Sequence, residues 1–197
     1  MFKLTHQLIL GSKSPRRQEL IQGLGLPYEV RTLDTDESYP ESLKPQQIAS
    51  FLAEIKAKAL LDTLNPTELL LTSDTIVITE SKVLGKPENK DAAKQMIALL
   101  AGKTHQVITG VHLATIQESF TFDVTTEVTF LPLESWEIDY YVEKYMPLDK
   151  AGSYGIQEWI GYIGIEKMHG SYYNVMGLPT AELWKVMKKL GYIQPTC

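Results

Sequence analysis

The order in which strand-like and helix-like segments follow one another is the feature that most limits how this chain can fold. Runs rich in β-branched and aliphatic residues alternate with segments whose apolar residues recur at helical spacing. Strands are predicted over 7–11, 28–33, 69–79, 104–116 and 120–131. Helices are predicted over 15–23, 91–101, 135–145 and 180–190, with a longer one beginning near Pro45. This alternation, with a hairpin formed by the last two strands, predicts a mixed α/β fold and not a purely parallel sheet.

The remaining segments are predicted to lack regular structure. A turn is expected at 80–82 and a loop at 85–87, and residues 146–179 are expected to be loop-rich because they hold six of the 13 glycines.

The composition of the chain excludes several classes of protein. The 197 residues include 24 acidic and 19 basic side chains, a formal net charge of −5, and 44% are hydrophobic. No apolar run approaches the roughly 18 residues of a membrane span, and charge follows the short apolar stretch at the N-terminus, the wrong order for a signal peptide. The only cysteine, Cys197, excludes an internal disulfide framework and a cysteine zinc site. We expect one cytoplasmic domain over 1–197 that binds neither a membrane nor a nucleic acid.

Positive charge gathers where the first predicted helix begins. The segment SKSPRR (12–17) directly follows a strand, and Ser14 and Pro15 suit the N-cap and first helical positions. Free backbone N–H groups, the helix dipole and the guanidinium groups of Arg16 and Arg17 together favour an anion such as phosphate. The alternative is a capped helix with solvated arginines.

Asp74 is the most unusual polar residue within a predicted strand. It stands between Ser73 and Thr75 in an otherwise apolar run, and a buried charge is costly unless it is paired or bound to metal. Asp74 can therefore be a general base, a metal ligand or both, or else a strand-end residue bonded to a neighbouring loop. The nearby GKP loop (85–87) offers a point charge on a stiff backbone, although by itself it is typical of a plain turn.

Two glycine- and aromatic-rich segments, 149–157 and 170–179, suit a pocket wall that reads a planar ring, or else form a long surface loop. The acidic loop around Asp34, Asp36 and Glu37 is typical of a solvated surface, although one member can help to hold Mg²⁺. The four histidines show no metal-ligand spacing and are interpreted as structural or surface residues: His6, His105, His112 and His169.

Seven motifs together resemble the Maf family of nucleoside triphosphate pyrophosphatases over residues 8–190. They are SxSPRR (12–17), LAxxKA (52–57), SDT (73–75), GKP (85–87), HxVxTGV (105–111), DKAGxYGIQ (149–157) and GSYxNVxGLP (170–179). Each motif alone is weak, but seven in this order make a chance resemblance very improbable. The resemblance implies an ITPase-like mixed α/β fold with a central sheet flanked by helices, and two lobes with a cleft between them.

The same resemblance implies hydrolysis of a nucleoside triphosphate to the monophosphate and pyrophosphate, with Mg²⁺ or Mn²⁺, as house-cleaning of the nucleotide pool. It implies the branch that acts on dTTP, UTP and some modified pyrimidine nucleotides, because Arg17, Thr75 and Gln157 occupy positions associated with that preference. Lys103 and Glu158 depart from the arginine and glycine that are more usual in the family. A homodimer is a further expectation from the family.

The resemblance also implies roles for single residues. Asp74 is the expected proton acceptor that orients a water toward the α-phosphorus, Lys86 is a second catalytic group, and Asp74 and Glu37 are expected metal ligands. Gln157 is expected to read uracil or thymine through its amide. The other residues expected to bind substrate are Ser12, Ser14, Arg16, Arg17, Lys56 and Thr75. Five cations are thereby expected to converge on one cleft: Lys13, Arg16, Arg17, Lys56 and Lys86.

Two other functions stay open at this point. One is a nucleotide-sensing regulator of cell division or septum formation without turnover, and the other is a pyrophosphatase directed at 7-methyl-GTP. Asp74 and Lys86, together with the two arginines, favour an enzyme, because binding alone needs no base.

Overall fold

The computed structural model describes residues 1–80 and 82–196. Its strands are β1 (Phe2–Leu4), β2 (Gln7–Leu10), β3 (Tyr28–Val30), β4 (Glu68–Thr79), β5 (Lys82–Leu84), β6 (Thr104–Ala114), β7 (Ser119–Phe130), β8 (Ile165–His169) and β9 (Ile193–Pro195). Its α-helices are α1 (Pro15–Gly23), α2 (Pro45–Leu60), α3 (Lys90–Leu100), α4 (Ser135–Tyr145), α5 (Trp159–Gly164), α6 (Tyr172–Met176) and α7 (Thr180–Lys189). Short 3-10 helices span Leu61–Thr63 and Ala151–Ser153.

Seven strands form a central mixed sheet in the order β3-β2-β4-β6-β7-β8, with β5 paired to β4. β2 is parallel to β3 and to β4, whereas β5 is antiparallel to β4 and β8 is antiparallel to β7. β1 and β9 form a separate antiparallel pair. This mixture of directions confirms the predicted mixed α/β class.

The chain divides into two compact units. The first contains Met1–Asp74, Thr109–Val124 and the C-terminal segment from Gly177, and the second contains Thr75–Ile108 and Thr125–Met176. The strands β4, β6 and β7 each contribute residues to both units. The division agrees with the two lobes that the family resemblance implies.

In the first unit, α2 packs tightly against the strands. One buried cluster joins this helix to the sheet: Ile9, Ala57, Leu60, Leu70 and Ala114. At Gly110 the backbone of β6 approaches α2 so closely that an added Cβ would lie 2.3 Å from backbone atoms of Ala49 and Ser50. Only glycine fits this contact. The contact fixes the helix that carries Lys56 against the strand layer.

The second unit has an aromatic core. His105, Phe130 and Tyr154 meet edge to face, with ring centroids 4.9 to 5.4 Å apart. His105 Nε2 lies 2.8 Å from the Tyr154 hydroxyl oxygen, and burial lowers the pKa of His105 to about 4. The imidazole is therefore neutral at physiological pH and serves as a packed, hydrogen-bonded core group.

The prediction for residues 146–179 was wrong in detail, because α5, β8, α6 and a 3-10 helix lie within them. These elements are only three to six residues long, so their periodicity is too brief to detect. The three-residue strands β1 and β9 were also missed, and β3 ends at Val30, before the predicted boundary. The predicted turn at 80–82 includes Ser81, which, like Cys197, lies outside the described residues. No helix in the described part of the chain has the length and apolar character needed to cross a membrane.

Candidate active site

Strand register brings Asp74 level with the loop that follows β2. Leu10 of β2 pairs with Leu71 of the parallel strand β4, and the Gly11 N–H donates to the Leu71 carbonyl at 2.8 Å. β2 then ends, whereas β4 continues past Asp74. Ligands in α/β proteins bind where parallel strands end at their carboxyl side. The predicted phosphate-binding segment and the predicted base therefore reach the same edge of this unit.

The loop between β2 and α1 is folded around the Ser12 hydroxyl. Ser12 is buried, and its Oγ accepts a hydrogen bond from the Ser14 N–H at 3.2 Å. Helix α1 begins at Pro15 as predicted, with Ser14 in the extended N-cap conformation, but the Ser14 side chain makes no capping hydrogen bond. The predicted side-chain cap is therefore not formed, because the loop turns back on Ser12 instead.

Arg17 is fixed by two contacts within the first unit. Its Nε donates to the Gly177 carbonyl oxygen at 2.8 Å, and its Nη1 donates to Ser12 Oγ at 3.3 Å. Burial lowers the pKa of Arg17, while the negative charges of Asp74 and Glu37 act in the opposite direction. Arg17 therefore lies within the electrostatic reach of both predicted acidic residues. Arg16, half-buried on the same turn, lowers the pKa of Arg17 further by like-charge repulsion.

Lys56 of α2 joins the two predicted acidic residues. Its Nζ lies 3.1 Å from Asp74 Oδ1 and 3.0 Å from Glu37 Oε1. The side chains of Lys56 and Asp74 are only 15% and 12% exposed, whereas that of Glu37 is 45% exposed. The carboxylate in the apolar strand β4 is therefore paired, which satisfies the physical requirement for burying it.

The acidic side chains of the site have donor atoms suited to a divalent cation. Asp74 and Glu37 offer the carboxylate oxygens that Mg²⁺ prefers, and they already converge on one cationic group. Within residues 1–80 and 82–196 there is no group of three or more acidic, histidine or cysteine side chains suited to a metal ion. Mg²⁺ commonly binds through one or two carboxylates together with substrate phosphates. The two carboxylates therefore fit an ion that arrives with a phosphorylated substrate, and they do not form an all-protein cage.

Lys13 does not join the predicted basic pocket. Its Nζ lies 3.1 Å from Asp34 Oδ1, with side chains that are 72% and 98% exposed. Exposed pairs of this kind are screened by water and contribute little. The expectation that five cations converge is therefore wrong for Lys13, whose side chain turns outward at the start of the loop.

In the second unit, a backbone hydrogen bond ties the Lys86 loop to the segment that carries Gln157. The Gly152 N–H donates to the Gly85 carbonyl oxygen at 3.1 Å. Lys86 is exposed, and Thr75 is half-buried in β4. The GKP and DKAGxYGIQ motifs, which lie far apart in the sequence, are thus neighbours in space.

Gln157 lies in a tight turn. The Glu158 N–H donates to the Gly155 carbonyl oxygen at 3.0 Å, so Ile156 and Gln157 are the two central residues of a β-turn. The amide oxygen of Gln157 is buried and has no hydrogen-bond partner among the described residues. A buried carbonyl group without a partner is costly, and a bound planar ring with N–H groups would satisfy it.

Three residues around this turn were missed by sequence reasoning. The Tyr141 hydroxyl accepts a hydrogen bond from the Gly155 N–H at 2.9 Å and donates to the Glu158 carboxylate. Lys150 Nζ lies 3.1 Å from Glu158 Oε1. Lys150 lies within the DKAGxYGIQ motif and Glu158 directly follows it, but the sequence did not indicate that either residue holds the turn. The other departure from the family pattern, Lys103, forms an exposed ion pair with Glu80 at 2.8 Å.

Curated proteins of known name are similar to this chain over most of its length. A dTTP/UTP pyrophosphatase of Phocaeicola vulgatus is 54% identical over 186 residues, which cover 94% of this chain and 96% of the relative. Proteins of the same name from Bacteroides thetaiotaomicron and Porphyromonas gingivalis are 52% and 46% identical, each over 94% of this chain and over 96% and 95% of their own lengths.

Among solved structures, the Staphylococcus aureus Ham1 protein superposes with a TM-score of 0.46 at 16% identity, covering 91% of this chain and 99% of that one. The family model described as Maf-like protein matches residues 7–190. A match of this extent spans nearly the whole chain and includes the residues of both units described above. The chain therefore belongs to the Maf-like protein family.

Proposed function

We propose that this protein hydrolyses dTTP and UTP to the nucleoside monophosphate and pyrophosphate, and so removes unwanted nucleotides from the cellular pool. The observation that carries the proposal is the pairing of Asp74 and Glu37 through Lys56 beside the anchored guanidinium of Arg17. The relatives named dTTP/UTP pyrophosphatase, at 46 to 54% identity over most of the chain, support the same activity.

The charge of the substrate explains why these groups are needed together. A nucleoside triphosphate carries roughly four negative charges, which interact strongly with nearby cations in a partly buried site. Arg17 offers a fixed fork for phosphate oxygens, and the Ser12 loop offers backbone N–H groups near the start of α1. We assign Arg16, Ser14, Lys56 and Thr75 to the same binding task.

Asp74 is the proposed proton acceptor. It receives the proton of a water that attacks the α-phosphorus, and the bond from that phosphorus to the bridging oxygen breaks to release pyrophosphate. Asp74 and Glu37 would hold a divalent cation that arrives with the substrate, and the ion would supply charge neutralisation for the leaving pyrophosphate. Lys56 holds the Asp74 carboxylate at 3.1 Å and so fixes the direction of the base. Lys86 is assigned as a second catalytic cation.

Gln157 is the proposed reader of the base. Its amide can accept a hydrogen bond from N3–H of uracil or thymine and donate to a ring carbonyl oxygen. Cytosine lacks the N3 proton and carries a donor at C4, so the same amide mismatches it. One unpaired buried polar group costs about 1–3 kcal/mol, which corresponds to roughly tenfold to hundredfold discrimination.

A panel of nucleoside triphosphates tests the proposal. The purified protein is incubated with each natural nucleotide, with modified pyrimidine nucleotides and with 7-methyl-GTP, in Mg²⁺ or Mn²⁺. Pyrophosphate and monophosphate are both measured, which separates cleavage at the α-phosphorus from loss of a terminal phosphate. We expect dTTP and UTP to react fastest.

Two outcomes of that panel would contradict the proposal. Preferred hydrolysis of 7-methyl-GTP would assign the chain to a different substrate class. No turnover of any nucleotide with either metal ion would favour a nucleotide sensor. The relatives named dTTP/UTP pyrophosphatase support neither alternative.

Three further expectations stay predictions: a cytoplasmic location, a homodimer and the absence of nucleic-acid binding. The net charge of −5 disfavours binding of a long polyanion. A small triphosphate differs, because it needs only a few local cations such as Arg17 and Lys56.

A further inference from the structure

We propose that Tyr141 and Glu158 are positioning residues that clamp the turn presenting Gln157, and that this clamp sets the preference for uracil and thymine over cytosine. The inference rests on the proposed function, since it concerns how Gln157 is held when it reads the base. All of the residues involved belong to the second unit.

A single hydroxyl group forms hydrogen bonds with both the first and the last residue of the turn. The Tyr141 hydroxyl oxygen accepts a hydrogen bond from the Gly155 N–H at 2.9 Å, and the same hydroxyl donates its proton to the Glu158 carboxylate. Gly155 and Glu158 are the first and last residues of the turn, and their backbones are joined by the hydrogen bond of 3.0 Å. Gln157 lies between two residues that Tyr141 ties together.

The side chain of Glu158 folds back over the turn. A Cβ added at Gly155 would lie 2.7 Å from Glu158 Cδ and 2.8 Å from Glu158 Oε2. The absence of a side chain at Gly155 is therefore what lets the Glu158 carboxylate reach across the turn to Tyr141. The hydrogen bond between Glu158 and Tyr141 therefore depends on glycine at the first position of the turn.

Burial makes these bonds strong and directional. Tyr141 is fully buried, and the side chains of Lys150 and Glu158 are only 10% and 19% exposed. Burial, followed by the hydrogen bond to Glu158, raises the pKa of Tyr141, so its hydroxyl keeps its proton and remains a donor. Lys150, at 3.1 Å, pairs with the second carboxylate oxygen of Glu158. Hydrogen bonds to ionised groups are shorter and stronger than neutral ones.

Gln157 is one of the two central residues of the turn, so its position depends on the clamp that holds the turn. Its buried amide oxygen has no partner among the described residues, so the side chain is not held by its own hydrogen bond at that atom. The orientation of the amide is set by the turn backbone. A recognition group must be held to within about 0.5 Å of its productive position. A loosened turn would therefore lower the preference for UTP over CTP more than it lowers the overall rate of turnover.

The test compares Tyr141→Phe and Glu158→Gln with Gln157→Ala and the unchanged protein. kcat and KM are measured for UTP and CTP, and hydrogen exchange of the amides over 154–160 is measured without nucleotide. We expect both clamp variants to speed exchange at Gly155 and Glu158 and to lower the UTP-to-CTP ratio of kcat/KM by roughly tenfold, mainly through a higher KM for UTP. Glu158→Gln keeps the side-chain shape and serves if Tyr141→Phe fails to fold.

Tyr140→Phe is the matched control on the same helix. Its hydroxyl accepts a hydrogen bond from Lys144 at 2.7 Å on the exposed face of α4, so its loss should change neither exchange nor the ratio. The clamp is overturned if Gln157→Ala lowers the ratio while both clamp variants keep it, whether or not exchange rises. An unchanged ratio in Gln157→Ala itself would instead overturn base reading by Gln157 and, with it, the proposal that depends on it.

Discussion

Lys56 Nζ lies 3.1 Å from Asp74 Oδ1 and 3.0 Å from Glu37 Oε1. The three residues come from α2, from β4 and from the segment between β3 and α2, so one ammonium group joins three distant parts of the sequence. Because a carboxylate in an apolar strand needs a partner, this contact explains how Asp74 is tolerated at its position. The two acidic residues differ in their exposure to solvent, since Asp74 is nearly buried and Glu37 is partly exposed.

Replacing Asp74 by asparagine should abolish pyrophosphate release and leave the fold intact. The amide has almost the shape of the carboxylate, but it cannot accept a proton from water, and loss of a general base costs roughly 100-fold or more in kcat. Initial rates with dTTP and thermal unfolding measure the two effects. Asp36→Asn, an exposed acidic residue whose carboxylate accepts the Ser38 N–H, is the control and should keep its rate. Near-full turnover of Asp74→Asn would show that the base is another group.

Removal of divalent cations should stop the reaction, and Glu37→Gln should raise the Mg²⁺ concentration needed for half-maximal rate. Glu37 and Asp74 both contact Lys56, and neutralising Glu37 removes one of the two expected carboxylate ligands of the ion. Changes around metal ligands typically cost tenfold to hundredfold in affinity, so we expect a rise of at least about tenfold. Titration of the rate with Mg²⁺ after chelation measures it. Glu41→Gln, an exposed neighbour in the sequence, should leave the curve unchanged. A full rate without metal would contradict the assignment.

Gln157→Ala should reduce hydrolysis of dTTP and UTP selectively. The amide is proposed to pair with N3–H and a ring carbonyl, and its loss should lower kcat/KM for these nucleotides by roughly tenfold to hundredfold relative to CTP. Competition assays with paired nucleotides give the ratio directly. Gln117→Ala, in the exposed turn between β6 and β7, is the matched control. An equal loss for every nucleotide would mean that Gln157 supports the site without reading the base.

Local sequence signals predicted the main elements well. Proline in the first turn marked the start of both α1 at Pro15 and α2 at Pro45, and the structure places both helices there. Gly102, with a φ of 69°, follows α3 where the sequence indicated a stop. These signals are local, because backbone conformation at a helix end depends on a few adjacent residues.

Contacts within the site could be predicted only between residues that lie close together in the sequence. The residue types around Asp74 indicated a need for a partner, but nothing in the sequence identified Lys56 as that partner. Lys13 appeared equivalent to its arginine neighbours, yet its side chain turns outward to Asp34. The bridge from Tyr141 to Glu158 spans 17 residues and depends on how α4 packs beside the following turn. Side-chain direction is set by tertiary packing, which no motif encodes.

His105 should make the protein less stable as the pH falls. Burial lowers its pKa from 6.5 to about 4, so the folded protein keeps the imidazole neutral. The unfolded chain takes up a proton below about 6.5 and therefore binds more protons than the folded one across this window. The free energy of unfolding contributed by His105 is thus fully present above pH 6.5 and is lost as the pH falls toward about 4.

Urea unfolding of His105→Gln across the same window tests this account. Glutamine stays neutral and can still bond the Tyr154 hydroxyl, so the slope of unfolding free energy against pH should be shallower than in the unchanged protein. The absolute stability of the variant is expected to fall at all pH values, because the edge-to-face contacts with Phe130 and Tyr154 are lost. His169→Gln, at an exposed position, should keep the original slope. An unchanged slope in His105→Gln would show that the buried imidazole is not the group that titrates.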